Sequence, residues 1–339
     1  AERKYKVKTI DLWDEVIHEK SYLMYRFYDS MVSKAPFMYN LSLHGLPAKL
    51  YKRVRLTSEY KYLDHFDQFI NDNQPDKILS VFPECTEFAS IYKEYYNKEI
   101  PLYTCITDVV DSDKWLHPNN DLYFIPHESM LSRLVKKGVP PEKIIVTGIP
   151  VRKKFFEKQN KIQLKRHLGF EEEDIIIMIT GGSLGRLPDN GAFYKWLDKK
   201  RNVKTVVMTA QNKTIHKKLR ALKLKNFSIY ESKDNISDYM KAADLIISKG
   251  GGATLFESIV SMLPIIVYKP SLNQELENSR FIVTQGIGTV AKNSWDLKKK
   301  VNVMLLNDQH REARNNIKKL KQQIRIDNMV ERIMDDGNS

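Results

Sequence analysis

The sequence predicts an α/β protein of two domains, each built on a parallel sheet. Three observations carry this expectation. The chain has 339 residues, enough for two domains with a core each at roughly 100 to 200 residues per domain. From residue 76 onward, short β-branched or apolar runs alternate with helical patterns, as parallel strands joined by crossover helices require. The alternation comes in two series, parted by Gly148-Ile149-Pro150-Val151-Arg152 and a charged stretch to Glu173.

The spacing predicts a strand over residues 6–13, then strands over 77–82, 102–107, 122–125 and 144–147 in the first series. The second series opens with the buried-type strand 174–180. It continues with strands over 203–209, 227–230, 244–248, 265–268 and 288–290, helices between them and two charged helices at the end. The boundary is expected near residue 152, giving domains over 1–152 and 153–310 and a closing helical segment over 311–339. No internal repeat and no low-complexity segment interrupts this pattern.

Composition excludes several classes. With 42% hydrophobic and 29% charged residues, 14 Gly and 13 Pro, the chain is neither collagenous nor disordered. Two cysteines, Cys85 and Cys105, are too few for a disulfide framework or a Cys-rich zinc site and fit a reducing, cytoplasmic setting. The longest apolar runs, such as residues 175–179, fall far short of the roughly 18 to 20 residues that span a bilayer. Net charge is +13, and the excess is C-terminal: residues 1–150 hold 20 Lys and Arg against 21 Asp and Glu. Within that near-neutral half, residues 20–61 carry eight bases against Asp29 and Glu59, interleaved with Tyr22, Tyr25, Phe27, Tyr28 and other aromatics. Such a stretch reads either as a surface for anionic lipid headgroups or as an amphipathic core helix with solvated lysines. No recognisable nucleic-acid motif accompanies the bases.

Three segments carry the chemistry. Ser248-Lys249-Gly250-Gly251-Gly252-Ala253-Thr254-Leu255-Phe256-Glu257 follows a strand and opens a helix. Glycines allow close backbone approach, the amides of a helix N-terminus hold phosphate, and Thr254 adds a hydroxyl. Glu257, about one turn in, is placed to accept both hydroxyls of a ribose. A glycine-rich turn with a surface Glu is the plainer reading. A second glycine turn, with Gly182 and Ser183, follows the strand over 174–180 at the edge where open α/β sheets bind ligands. In the third segment Gln274, Glu275 and Asn278 share one helix face after a strand. Amides with a carboxylate suit sugar hydroxyls, although an ordinary polar helix start has the same composition.

In this order and spacing the three segments resemble the C-terminal half of the processive diacylglycerol glycosyltransferases and plant-type monogalactosyldiacylglycerol synthases, relatives of the lipid-linked N-acetylglucosamine transferase of peptidoglycan synthesis. The resemblance extends to Cys105-Ile106-Thr107-Asp108, to Trp115 with His117 and Asp121, and to Val146-Thr147-Gly148-Ile149-Pro150-Val151-Arg152. It implies a GT-B fold, two Rossmann-like domains with an acceptor domain over 1–152, a UDP-sugar domain over 153–310, and a last helix packing back toward the first domain. It further implies that Glu257 holds ribose, that Gly251, Gly252 and Thr254 hold the diphosphate, and that Gln274, Glu275 and Asn278 hold the sugar. Gly182, Ser183 and Gly250 join this donor set. No cofactor and no metal is implied, the UDP-sugar being a substrate.

Two departures from the family pattern stand out. The family's first strand and its loop ending in Gly-His do not precede Lys6, so an N-terminally truncated chain or an inactive homologue is expected. Gly250 stands where the family often has Pro, a change expected to leave the turn intact. Without the loop histidine, the visible candidates for activating an acceptor hydroxyl are Asp108 and His117, with Trp115 on the acceptor side. Asp111-Ser112-Asp113 resembles a metal-binding triplet in the wrong setting, and Glu84 with Glu87 reads as a solvated helix start. The expected activity is therefore inverting transfer of a hexose from a UDP-sugar to diacylglycerol or a glycolipid, by a protein bound peripherally at the inner, cytoplasmic face of the membrane. The expected partners are the lipid acceptor and an anionic lipid surface, with no nucleic acid. A UDP-sugar epimerase of related fold and a nucleotide-sugar-binding homologue without catalysis are the alternatives.

Overall fold

A computed structural model of the chain describes residues 6–17, 62–182, 185–305 and 308–335. The basic, aromatic stretch 20–61 and Ser183 lie outside the described residues. The chain divides into two compact units, Ala1–Cys105 with Ser112–Tyr123 and Ile106–Asp111 with Phe124–Ser339. In chain order the elements are β1 (Ile78–Ser80), α1 (Pro83–Tyr95), β2 (Leu102–Cys105), β3 (Leu122–Ile125), α2 (Leu131–Lys136), β4 (Ile144–Val146) and α3 (Lys161–His167). Then follow β5 (Ile175–Thr180), α4 (Gly191–Asp198), β6 (Val203–Met208), α5 (Lys213–Ala221), β7 (Phe227–Tyr230), α6 (Ile236–Ala242) and β8 (Leu245–Ser248). The chain closes with α7 (Gly252–Val260), β9 (Ile265–Tyr268), α8 (Asn273–Thr284), β10 (Gly288–Ala291), α9 (Ser294–Leu305), α10 (Asp308–Lys321) and α11 (Ile326–Asp335). Strands β1 to β4 form one sheet in chain order, and β5 to β10 form the other.

In the first unit a helix over residues 62–73 turns Leu63, Phe66 and Ile70 to one side, the spacing of a buried helical face. Phe66 meets Phe88 and Tyr92 of α1 edge-on, at centroid distances of 5.3 and 4.9 Å. Pro83 begins α1, where a missing N–H costs nothing. β1 and β2 pair in parallel with Leu79 opposite Tyr103. Buried hydroxyls there bond one another: Thr86 donates to Ser80 at 2.8 Å and Thr104 to the Asn120 amide oxygen at 2.6 Å.

The expected strand over residues 6–13 is absent. Residues 6–11 form no regular element, and Trp13–Ile17 is a single π-helical turn. The cause is local. The Asp11 carboxylate accepts the N–H groups of Trp13 and Asp14, which starts a helical turn. The turn then buries Leu12 and Val16, four residues apart, while Val7 stays 83% exposed.

In the second unit the order β10-β9-β8-β5-β6-β7 is parallel throughout. Numbered by position in the chain, this is the 3-2-1-4-5-6 order of a Rossmann sheet, in which the winding reverses between the first and fourth strands. Those strands are β5 and β8. Both are buried on both faces, so each reads in sequence as a continuous apolar run. Ile177, Ile179, Leu245 and Ile247 pack on one face against Phe193, Tyr194 and Leu197 of α4. The last segment closes on the stretch after β4: the Arg325 N–H donates to the Thr147 carbonyl at 2.8 Å. A Cβ on Gly148, which has a φ of +87°, would lie 3.2 Å from Ile324.

Candidate nucleotide site at the sheet switch point

Ligands bind open parallel sheets at the carboxyl ends of the strands, where the strand order reverses. In the second unit that position is the end of β5 and β8, and both glycine turns of the sequence fall there: Gly181 and Gly182 after β5, Lys249 to Gly252 after β8. The two turns approach closely, since a Cβ on Gly182 would lie 2.8 Å from Cε of Lys249. Gly250 has a φ of +88°. The ring of a proline holds φ near −65°, so this turn is one a proline could not make.

Gly252 is the first residue of α7, and a side chain has no room there. Its Cβ would fall 2.0 Å from the Thr107 carbonyl oxygen. Next to that carbonyl, Oδ1 of Asp108 accepts the Gly252 N–H at 3.0 Å and an Nδ2 hydrogen of Asn278 at 2.7 Å. Burial raises the Asp108 carboxyl above its ordinary range, and these two donors oppose the rise. Asn278 is fully buried and ties the strand-end loop to the glycine turn. Its Nδ2 also donates to the Gly250 carbonyl at 2.9 Å, and its Oδ1 accepts from the Val109 N–H at 2.8 Å.

Glu275, 1% exposed, is also directed inward. Its Oε2 accepts the N–H groups of Ser271 and Leu272 at 3.0 and 3.2 Å, completing the first turn of α8. Its Oε1 pairs with Arg186 and lies 3.6 Å from Nζ of Lys249. Arg186 also donates to the Ser271 hydroxyl at 3.0 Å. Burial lowers the Lys249 ammonium from its ordinary range, and Glu275 opposes that. Gln274 is half-buried at the start of α8. Two cations, the glycine turns and the N-terminus of α7 thus converge at the switch point. This is an arrangement suited to a phosphate-bearing ligand.

One turn into α7, Glu257 keeps a 17% exposed side chain, and Nη2 of Arg152 donates to its Oε1 at 3.3 Å. Burial raises the Glu257 carboxyl and Arg152 lowers it. Thr254, between them and the turn, is half-buried.

Trp115 and His117 lie in the first unit. Trp115 is buried at 4% exposure in a short 3-10 turn. Nε2 of His117 contacts the Lys114 carbonyl at 2.9 Å, and the His117 backbone exchanges hydrogen bonds with the Tyr123 hydroxyl. Asp111 pairs with Arg133 at 3.5 Å in the second unit. Among the described residues no three His, Cys, Asp or Glu side chains are placed to hold a metal ion.

The structure brings Gly182, Gly250, Gly251, Gly252, Asp108, Glu275 and Asn278 together at the ends of β5 and β8. The sequence reading did not single out Arg186, Lys249 or Arg152, which pair with Glu275 and Glu257. The signal was present in the first two: each glycine turn carries one cation beside it, Arg186 after Gly185 and Lys249 before Gly250.

Two parallel sheets, the second in Rossmann order with a phosphate-type cradle at its switch point, make up a fold of the GT-B class. Similar solved structures agree in fold. MurG of Acinetobacter baumannii is 14% identical with a TM-score of 0.58, over 79% of this chain and 76% of that one. The UDP-GlcNAc 2-epimerase of Neisseria meningitidis, bound to UDP-GlcNAc, is 16% identical with a TM-score of 0.58 over 80% of each. Residues 1–151 match the family model of monogalactosyldiacylglycerol (MGDG) synthase, and residues 176–332 match that of the glycosyltransferase family 28 C-terminal domain. The two matches together span most of the chain, which is similar to the diacylglycerol glycosyltransferases. A processive diacylglycerol beta-glucosyltransferase of Bacillus licheniformis is 27% identical over 83% of this chain and 74% of its own length.

Proposed function

We propose that the chain transfers a hexose from a UDP-sugar to diacylglycerol or a glycolipid, with inversion at the anomeric carbon, while bound to the cytoplasmic face of a membrane. The observation that carries the donor half is the convergence of Lys249, Arg186 and the α7 N-terminus at the reversal point of a Rossmann sheet. The relatives' names and the two family matches support the lipid acceptor.

In this reading the acceptor hydroxyl oxygen bonds to the anomeric carbon as the bond from that carbon to the β-phosphate oxygen breaks. The electron pair leaves with UDP. The N-terminal amides of α7, Lys249 and Arg186 stabilise the charge that develops there. Glu257 receives the ribose hydroxyls, and Gly251, Gly252 and Thr254 line the diphosphate. Gln274, at the start of α8 with Glu275 and Asn278, faces the sugar. Asp108 takes the acceptor proton. Both hydrogen bonds to its carboxylate fall on Oδ1, and Oδ2 has no hydrogen-bond partner among the described residues. His117 is the weaker candidate because its ring already meets the Lys114 carbonyl.

No helix among the described residues is long and apolar enough to cross a membrane. Membrane contact is accordingly proposed to be peripheral, through the basic stretch 20–61 and with Trp115 on the acceptor side. The epimerase alternative draws on likeness of fold alone.

Calorimetric titration with UDP, beside Glu257→Ala, tests the donor site. Weakening by about 1 to 3 kcal/mol, the scale of hydrogen bonds to a charged group, is expected. A folded chain that binds no UDP would sink the reading. Glucose or galactose transfer to diacylglycerol in mixed micelles then tests the acceptor.

A further inference from the structure

We infer that Arg152 is a positioning residue of the donor site, holding the Glu257 carboxylate in the orientation that receives a ribose. The inference rests on the donor reading above. Glu257 lies on the second turn of α7, largely buried, where an ionised carboxylate needs a counter-charge. Arg152 supplies one, from the segment between β4 and α3. The guanidinium bonds Oε1 alone, at 3.3 Å, which leaves Oε2 without a hydrogen bond among the described residues.

The cation is itself held. Its guanidinium carbon lies 5.4 Å from the ring centre of Phe155, which is 1% exposed. Phe155 belongs to the 3-10 turn Lys153–Phe155, directly after Arg152. The attraction of the guanidinium to the ring gives it a preferred direction although its side chain is 61% exposed, and that preference passes to the carboxylate it bonds. Other cations near α7 are engaged elsewhere: Lys321 donates to the Val260 carbonyl and Lys241 to the Lys154 carbonyl. Among the described residues, Arg152 is the charged group that acts on the Glu257 carboxylate.

Two consequences separate positioning from mere support of the fold. Removing the cation leaves burial unopposed, so Glu257 takes up a proton at higher pH, and a protonated carboxyl, with one oxygen turned donor and no charge, accepts from two hydroxyls more weakly. Discrimination between ribose and 2′-deoxyribose should fall as well, because it depends on an acceptor fixed in place.

The experiment is calorimetric titration of the whole chain with UDP and with dUDP from pH 5.5 to 8.5, for wild type, Arg152→Ala, Arg152→Lys and Glu257→Gln. For Arg152→Ala, UDP affinity should fall roughly tenfold at the acid end and less at the alkaline end, with the UDP to dUDP ratio shrinking alongside. Arg152→Lys should restore the pH profile in part. Parallel profiles for Arg152→Ala and wild type, with an unchanged UDP to dUDP ratio, would overturn the inference while Glu257→Gln still weakens UDP. No loss of UDP binding in Glu257→Gln would overturn the ribose reading and this inference together. Thermal melting of each variant shows whether the fold is intact, and Arg152→Lys keeps the test decisive if Arg152→Ala unfolds.

Discussion

The Asp108 carboxylate holds the N–H of Gly252 at 3.0 Å across 144 positions of sequence. The first turn of α7 is therefore capped by a residue from another strand end, and the Thr107 carbonyl packs against the glycine from the same side. Gly252→Ala places a methyl 2.0 Å from that carbonyl. Backbone must move, at a cost of about 3 kcal/mol or more. Gly191, at the first turn of α4, meets only ordinary contacts at 3.7 and 3.8 Å. Gly191→Ala should change stability by no more than about 1 kcal/mol in the favourable direction. Urea denaturation of both variants checks the contrast; equal midpoints would show that the close approach at Gly252 is absent.

Asn278→Ala removes three hydrogen bonds at once and leaves the Val109 N–H, the Gly250 carbonyl and part of the Asp108 carboxylate without their partner. Stranded buried polar groups cost about 1 to 3 kcal/mol each, with partial relief from relaxation. A loss of about 3 kcal/mol in stability is expected, together with weaker UDP binding because the glycine turn loses its tie. Asn278→Asp, which keeps the shape but sets a second carboxylate beside Asp108, should be at least as damaging at neutral pH. Recovery of Asn278→Asp as pH falls would identify that repulsion as the cause.

Lys249 and Arg186 both face the buried Glu275. Lys249→Ala should weaken UDP by about tenfold or more, the scale of a charge-assisted hydrogen bond. It should leave uridine affinity within about twofold, since uridine has no phosphate for the ammonium to meet. Titration with both ligands at 50 and 300 mM salt is the check. Equal losses for UDP and uridine would mean local collapse around Glu275 rather than a lost phosphate contact.

Much of this fold was legible because its strands are short apolar runs, those at the sheet centre such as β5, β8 and β9 buried on both faces. β3, β7 and β9 lie over the residues their apolar runs predict, and β5 begins one residue later. Residues 6–13 misled because Val7 and Ile10 suggest a strand, while the Asp11 carboxylate, acting on two nearby N–H groups, decides for a helical turn. At the site, the glycines were legible since their conformational freedom is a property of the residue. The inward set of Glu275 and Asn278 was not. Their partners, Arg186, Asp108 and Val109, lie 89, 170 and 169 positions away. No local pattern distinguishes a polar helix start that faces solvent from one that closes a network across the sheet end.

Asp108 carries the clearest expectation about chemistry. Asp108→Asn keeps an oxygen to receive the Gly252 N–H but cannot take a proton. If Asp108 is the base, kcat should fall by about 10²- to 10⁴-fold, the usual share of a general base, with UDP affinity little changed. Burial raises its carboxyl, so the acid limb of the wild-type kcat profile should lie above the ordinary carboxylate range. Activity should fail as pH drops through that limb, because the base is then protonated. Stability runs the other way. Between the ordinary and the raised values the folded chain binds the extra proton, so this group's contribution declines as pH rises through that window. Asp108→Asn should therefore flatten the stability profile there and remove the acid limb of any residual activity. An unchanged kcat in Asp108→Asn would leave Asp108 as the cap of α7 alone and place the base elsewhere.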